Sequence, residues 1–404
     1  MPSRFIPALI LASAVAVITG CSSGMSSSSM MTTTTPTSNA VISQLTTMTS
    51  IGSTVDVGGA PGAPGVGDTN PYGLAIVPST VVNTTPVGSS SFVVSPGDLI
   101  VCNFNSSAAN GVGMGTTVED LKPVAGSKPV RIAQSSMLQG CDALAVNPNK
   151  AFIWAAAYTA NDNPVVLPTG ATTTAVTASY AWDQPWGQIF GSPTPPMGST
   201  ATSPSAFYIS DAGDGSIVQG LVSASPAVYT KIITGFPVNV SQTYGILAPA
   251  GLTYDASSDT LYVVSSDTNS VLAFSGVSKY VAGSVNITFT PGSSTGGYYP
   301  TSTAASFSFS GPNASQAKVI YSGAPLNYPI SSALLYNGDL IVGNTGDNNM
   351  IEISPSSMMA VGTKSVDSGA AGAIFGIATS GTSLATQKIY FNDDNTATVM
   401  SLSQ

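Results

Sequence analysis

The sequence predicts an all-β fold of six like units, on three observations. The first is a grammar of strand, polar turn, strand, polar turn, strand that recurs along the chain. Its clearest copy is residues 248–274, APAGLTYDASSDTLYVVSSDTNSVLAF. The second is spacing. With positions 73, 143, 187, 251, 333 and 376 taken as equivalent, the shorter intervals, such as 143 to 187, suit one four-stranded blade of a β-propeller. The third is closure. The chain stops directly after the third strand of unit six, and residues 51–57 are free to supply the missing outer strand and cover its open edge. The predicted class is a six-bladed β-propeller after a signal peptide and a disordered tether.

Residues 1–20 read as a signal peptide. Arg4 gives a positive start, and residues 5–18 are apolar but too short for an ordinary spanning helix. The segment Ile18-Thr19-Gly20-Cys21 resembles the bacterial lipobox. That resemblance implies an acylated Cys21 as the first mature residue, a lipid bilayer as its partner and a cell-envelope address. Ser22 in place of Asp implies the outer membrane if the cell is Gram-negative. Residues 21–50 are rich in Ser, Thr, Met and Ala and read as a tether, with too little apolar surface to offset chain entropy. Its r.m.s. span is roughly 30 Å, and its removal over 22–45 is expected to be nearly neutral. The propeller domain is expected over 51–404.

The units follow in order. Unit one contains NPYGLAIV at 70–77, GDLIVCN at 97–103 and a strand at 116–118. Unit two has strands at 142–146 and 151–155 and a weak third at 164–167. Unit three has QPWGQIF at 184–190, then 207–211 and 216–219. Unit four is the clear copy quoted above. Unit five has 333–336, an Asn337-Gly338 hairpin turn, 339–342 and 350–353. Unit six has 375–378, 388–391 and 397–402. Residues 191–205 are a Pro/Ser/Thr-rich insert, and 281–317 is long enough for a hairpin of its own. These units resemble NHL repeats, with Pro-x-Gly-hydrophobic followed by Leu-Tyr-Val-x-Asp and Asn-x-hydrophobic, best in units three and four. That resemblance covers about 70–404 and implies a six-bladed propeller. A β-sandwich or irregular array is the alternative; an open solenoid fits poorly with units of such unequal length.

Composition narrows function. Only 7% of residues are charged and the formal net charge is −9, with no Lys/Arg run, which argues against a nucleic-acid partner. There is no histidine. That excludes a Ser-His-Asp triad and removes the commonest metal ligand and general base. It also sets the chain apart from lyase propellers related to NHL proteins, which use histidines. A low-charge, histidine-free surface suits an acidic exterior.

The candidate site residues are of two kinds. Polar turns after second strands carry Asp211, Asp214, Asp267, Asp347, Asp393 and Asp394. Their oxygens suit Ca²⁺, yet none has the full EF-hand order, and Asp and Asn are equally the residues of ordinary turns. Aromatics stand before first strands: Tyr72, Trp186, Tyr244, Tyr328 and Phe375. They pack between blades, or form a rim that stacks on a sugar or peptide ring. In a propeller both sets fall on one face. Cys102 and Cys141, the two thiols left once Cys21 is acylated, are expected to form a disulfide between neighbouring blades. The expected function is non-catalytic binding of a protein, peptide or glycan by a monomer without a cofactor. The alternative is a metal-dependent hydrolase with Asp and Asn ligands in the channel.

Overall fold

The computed structural model describes residues 40–56, 66–81, 94–107, 111–148, 152–173, 180–191, 207–221, 228–238, 248–290 and 306–404. Cys21, Tyr244 and the Pro/Ser/Thr-rich insert from 192 onward lie outside them. A short helix α1 (Val41–Gln44) leads into strand β1 (Thr47–Ser53). Blade one follows: β2 (Thr69–Ile76), β3 (Leu99–Asn105), β4 (Thr117–Leu121) and β5 (Val130–Gln134). Blade two is β6 (Cys141–Val146), β7 (Ile153–Ala157), β8 (Val165–Val166) and β9 (Thr172–Thr173). Blade three is β10 (Pro185–Phe190), β11 (Phe207–Asp211), β12 (Ser216–Leu221) and β13 (Val228–Thr234). Blade four opens with β14 (Leu252–Asp255), β15 (Thr260–Ser265) and β16 (Ser270–Ser275). An inserted hairpin, β17 (Val285–Thr290) and β18 (Ser306–Ser310), precedes its outer strand β19 (Ala317–Ser322). Blade five is β20 (Pro329–Leu334), β21 (Leu340–Asn344), β22 (Asn349–Ser354) and β23 (Met359–Ser365). Blade six is β24 (Ile374–Ser380), β25 (Lys388–Asp393) and β26 (Thr398–Ser403), and β1 pairs antiparallel with β26 as its fourth strand. The fold is the six-bladed β-propeller that the repeat grammar predicts.

Burial explains the grammar. The second strands, such as β7, β11, β15 and β21, are buried along their whole length because a neighbouring blade covers each face. That is why they read as unbroken apolar runs rather than as alternating ones. Outer strands such as β23 are half-buried to exposed throughout. Of the seven apolar clusters among the described residues, six lie one at each junction between blades, and the seventh gathers around Trp186 and Ile330. The junction of blades six and one, with Tyr390 and Val399 against Leu74 and Leu99, closes the ring.

Three expectations are corrected. The closing strand spans Thr47–Ser53, four residues earlier than 51–57. Residues 40–50, assigned from composition to the tether, belong to the propeller. Val41, Ile42 and Leu45 are buried in the cluster between blades five and six. The Ser/Thr-rich context hides three apolar side chains that find a site prepared far along the chain. In unit five the first strand starts at Pro329, so Ser331, facing Gly343, takes the place expected for position 333. The hairpin expected within 281–317 is present, but it extends blade three, where β17 runs parallel to β13.

Candidate functional site: the central channel

The first strands of all six blades line the channel, and five of them, all but β14 of blade four, begin with an irregular register. Asn70, Gln184 and Tyr328 adopt left-handed backbones, and each is followed by a proline. A β-bulge comes next, between Pro71 and Gly73, Cys141 and Ala143, Pro185 and Gln188, Pro329 and Ser331, and Ile374 and Ile377. Bulges re-aim a side chain. Here they bring Tyr72, Asp142, Trp186, Ile330 and Phe375 to the wall of one constriction of 70 Å³.

Glycine after the bulge lets neighbouring first strands approach. A Cβ on Gly187 would run into the carbonyl oxygen of Ala250 in blade four, and one on Gly376 would meet the Tyr72 carbonyl of blade one. Second strands lock the same carbonyls from the side. Asn392 donates to the carbonyls of Tyr72 and Gly73 at 3.0 and 3.2 Å, and Ser210 donates to that of Ala250 at 2.8 Å.

The aromatics close one end. Tyr72 stacks on Phe375 with centroids 3.6 Å apart and on Phe104 at 4.3 Å, while Tyr158 meets Trp186 edge-on at 5.6 Å. Burial, then the carboxylates of Asp394 and Asp142, push the Tyr72 hydroxyl well above its ordinary range. Beyond the constriction the channel widens to 420 Å³. Apolar side chains line it, including Leu74, Val146, Ile189, Leu252, Leu334 and Ile377, one from each blade, together with Gln188, Thr253, Ser332 and Thr379. Thr253 and Ser332 share a hydrogen bond of 2.7 Å there.

The expected residues separate. Tyr72, Trp186 and Phe375 come together, but packed on one another. Tyr328 does not take their place: it is the counterpart of Asn70, and Ile330 stands where Tyr72 does. The Tyr328 N–H donates to Asn269 Oδ1 at 2.7 Å and its carbonyl accepts from Thr345 at 2.9 Å, which holds the left-handed backbone. Aligning Pro71, Pro185 and Pro329 would have placed it correctly. The Asp turns lie at the same end as the aromatics: Asp394 accepts from Asn70 at 2.5 Å. Others hold neighbouring structure: Asp347 bonds within its own turn, while Asp211 and Asp214 reach other segments. Asp211 accepts the Asp183 N–H at 2.8 Å, Asp347 accepts that of Asn349 at 3.1 Å, and Asp214 pairs with Lys231. Asp267 and Asp393 are buried. Among the described residues no three His, Cys, Asp or Glu side chains converge as a metal site would need.

Asp142 is the residue that the motif search missed. It is buried, neither carboxylate oxygen has a hydrogen-bond partner, and burial pushes its pKa well above the carboxylate range. The signal was its place directly before position 143, where the other blades have Tyr72 before Gly73 and Trp186 before Gly187. Cys102 and Cys141 are joined as a disulfide, with Cα atoms 5.9 Å apart, tying β3 of blade one to β6 of blade two.

No protein-family model matches the chain, and no curated protein matches it in sequence. Several solved structures share its architecture. A gluconolactonase from Xanthomonas campestris is 10% identical over 83% of this chain and 86% of its own, with a TM-score of 0.49. The PQQ-bound aldose sugar dehydrogenase of Streptomyces coelicolor is 13% identical over 88% and 98%, also at 0.49. Virginiamycin B lyase from Staphylococcus aureus is 11% identical over 83% and 96%, at 0.45. By name these three catalyse different reactions, and the likeness of this chain to them is one of fold.

Proposed function

We propose that the protein is an NHL-like propeller lipoprotein, held in the cell envelope by an acylated Cys21, that binds a protein or peptide without catalysing a reaction. The observation that carries this reading is the apolar end of the channel. All six blades contribute to its wall, and its 420 Å³ lies within the range of ligand pockets. Such a wall suits an inserted apolar side chain. A glycan would instead call for free aromatic faces, and Tyr72, Trp186 and Phe375 are stacked on their neighbours. The hydrolase alternative needs several converging oxygen ligands, and Asp142 is the one carboxylate among the described residues lining either part of the channel.

The test is a pull-down from envelope extract with and without chelator, using wild type and Ala378→Phe, which fills the cavity wall. Capture lost in the variant and indifferent to chelator supports the reading. Capture that needs the metal and ignores the variant contradicts it. Detergent partitioning of Cys21→Ala against wild type tests the anchor.

A further inference from the structure

The constriction holds an acidic side chain that no protein group engages. Asp142 is 5% exposed and both its oxygens lack a hydrogen-bond partner. It stands in the bulge at the start of β6, and Tyr72, Trp186 and Phe375 line the same constriction. An unsatisfied buried polar group is costly, and native folds keep few of them without a reason. Leu74, Leu144, Leu252 and Ile377 line both the constriction and the wide apolar cavity, so the two are consecutive parts of one channel.

We propose that the channel binds an aliphatic ammonium group, with the alkyl chain in the apolar cavity and the N–H donors on Asp142. This rests on the reading of the channel as the ligand site and names the ligand chemistry. An ammonium brings one positive charge and three donors, which satisfy both carboxylate oxygens through charge-assisted hydrogen bonds. A bare divalent ion needs several oxygen ligands, whereas one carboxylate suffices for one ammonium. An anionic ligand would meet Asp142 with the wrong charge. The alkylammonium has two sources, a free amine or the lysyl side chain of a partner.

The test measures binding to the full chain by calorimetry near neutral pH. Hexylammonium is compared with hexanol, and Nα-acetyl-lysine methylamide with its norleucine counterpart. At least one cation is expected to bind about tenfold or more tighter than its uncharged match, the worth of a charge-assisted hydrogen bond. That advantage disappears in Asp142→Asn, whose unfolding midpoint is measured alongside, and the pair that shows it identifies the source. Equal binding of cation and uncharged match in wild type overturns the proposal, with no need of the variant. So does an advantage that survives in folded Asp142→Asn. If hexanol binds and hexylammonium gains nothing, the channel remains a ligand site and only the ammonium assignment falls. If none of the four binds, both fall.

Discussion

The carboxylate of Glu352 accepts the backbone N–H of Ile42 at 2.7 Å, across 310 positions of sequence. Its other oxygen accepts the N–H of Val41 at 3.0 Å. A buried acid on β22 of blade five thus holds the start of α1 before the chain continues into the outer strand of blade six. Replacing Glu352 by Ala leaves two buried N–H groups unsatisfied and is expected to cost about 2–4 kcal/mol. Deleting residues 40–45 also removes the buried Val41, Ile42 and Leu45 and should cost several kcal/mol more. Urea denaturation measures both. An unchanged midpoint for the deletion would show that the segment does not pack.

Several buried acids set the pH response. Burial pushes the Glu119 carboxyl up to about 8 against the pull of Arg131. Burial, with Asp393 adding to it, pushes Asp394 up to about 7 despite the hydrogen bond from Asn70, and burial pushes Asp211 up to about 6. Each keeps its proton to a higher pH when folded than when unfolded, where such groups titrate at about 4. The native state therefore binds more protons in that window. The stability this gives is complete below about pH 4 and lost as the pH rises through about 6 to 8. Asp255 works the other way: although partly buried, it is held low by hydrogen bonds from Ser258 and Ser257. The net expectation is greater stability at about pH 5 than at about pH 8, by roughly 2 kcal/mol or more. Stability that rises across that interval would contradict it.

The inner ring depends on close backbone approach. Gly187→Ala places a Cβ against the Ala250 carbonyl oxygen of the next blade, and one of the two strands must move. The expected loss is about 1–3 kcal/mol, the usual cost of overpacking. Gly338→Ala serves as a comparison: that turn is open, so its cost comes from the left-handed backbone alone. Equal losses at the two positions, read from thermal unfolding, would argue against a crowded ring.

The disulfide closes a loop of 39 residues between blades one and two. Its removal by the double change Cys102→Ala and Cys141→Ala is expected to cost roughly 4 kcal/mol in the chain-entropy account. Free thiols in the unreduced, unfolded wild type would show that the bond does not form.

How far the sequence was legible follows from what each residue must satisfy. Middle strands such as β11 and β15 announce themselves, because burial on both faces demands continuous apolar runs. The disulfide follows from counting thiols and placing them on adjacent blades. Packing that depends on distant partners is hidden. Nothing near Val41 foretells Glu352, and a Ser/Thr-rich neighbourhood disguises the three apolar residues that dock. Tyr328 misleads because aromatic identity was matched where the proline register governs. Asp142 is overlooked because one Asp among nineteen acidic residues carries no motif. Its meaning comes from the ring of bulges around it.

The most direct test of channel binding is photo-cross-linking in cells. A photoreactive residue replaces Ala75 in the wall of the wide cavity in one variant, and exposed Asp347 at the opposite end in another. Adducts with an envelope component are expected from position 75 and not from position 347. Adducts from position 347 alone would place the ligand on the aromatic and Asp-rich end and contradict the account.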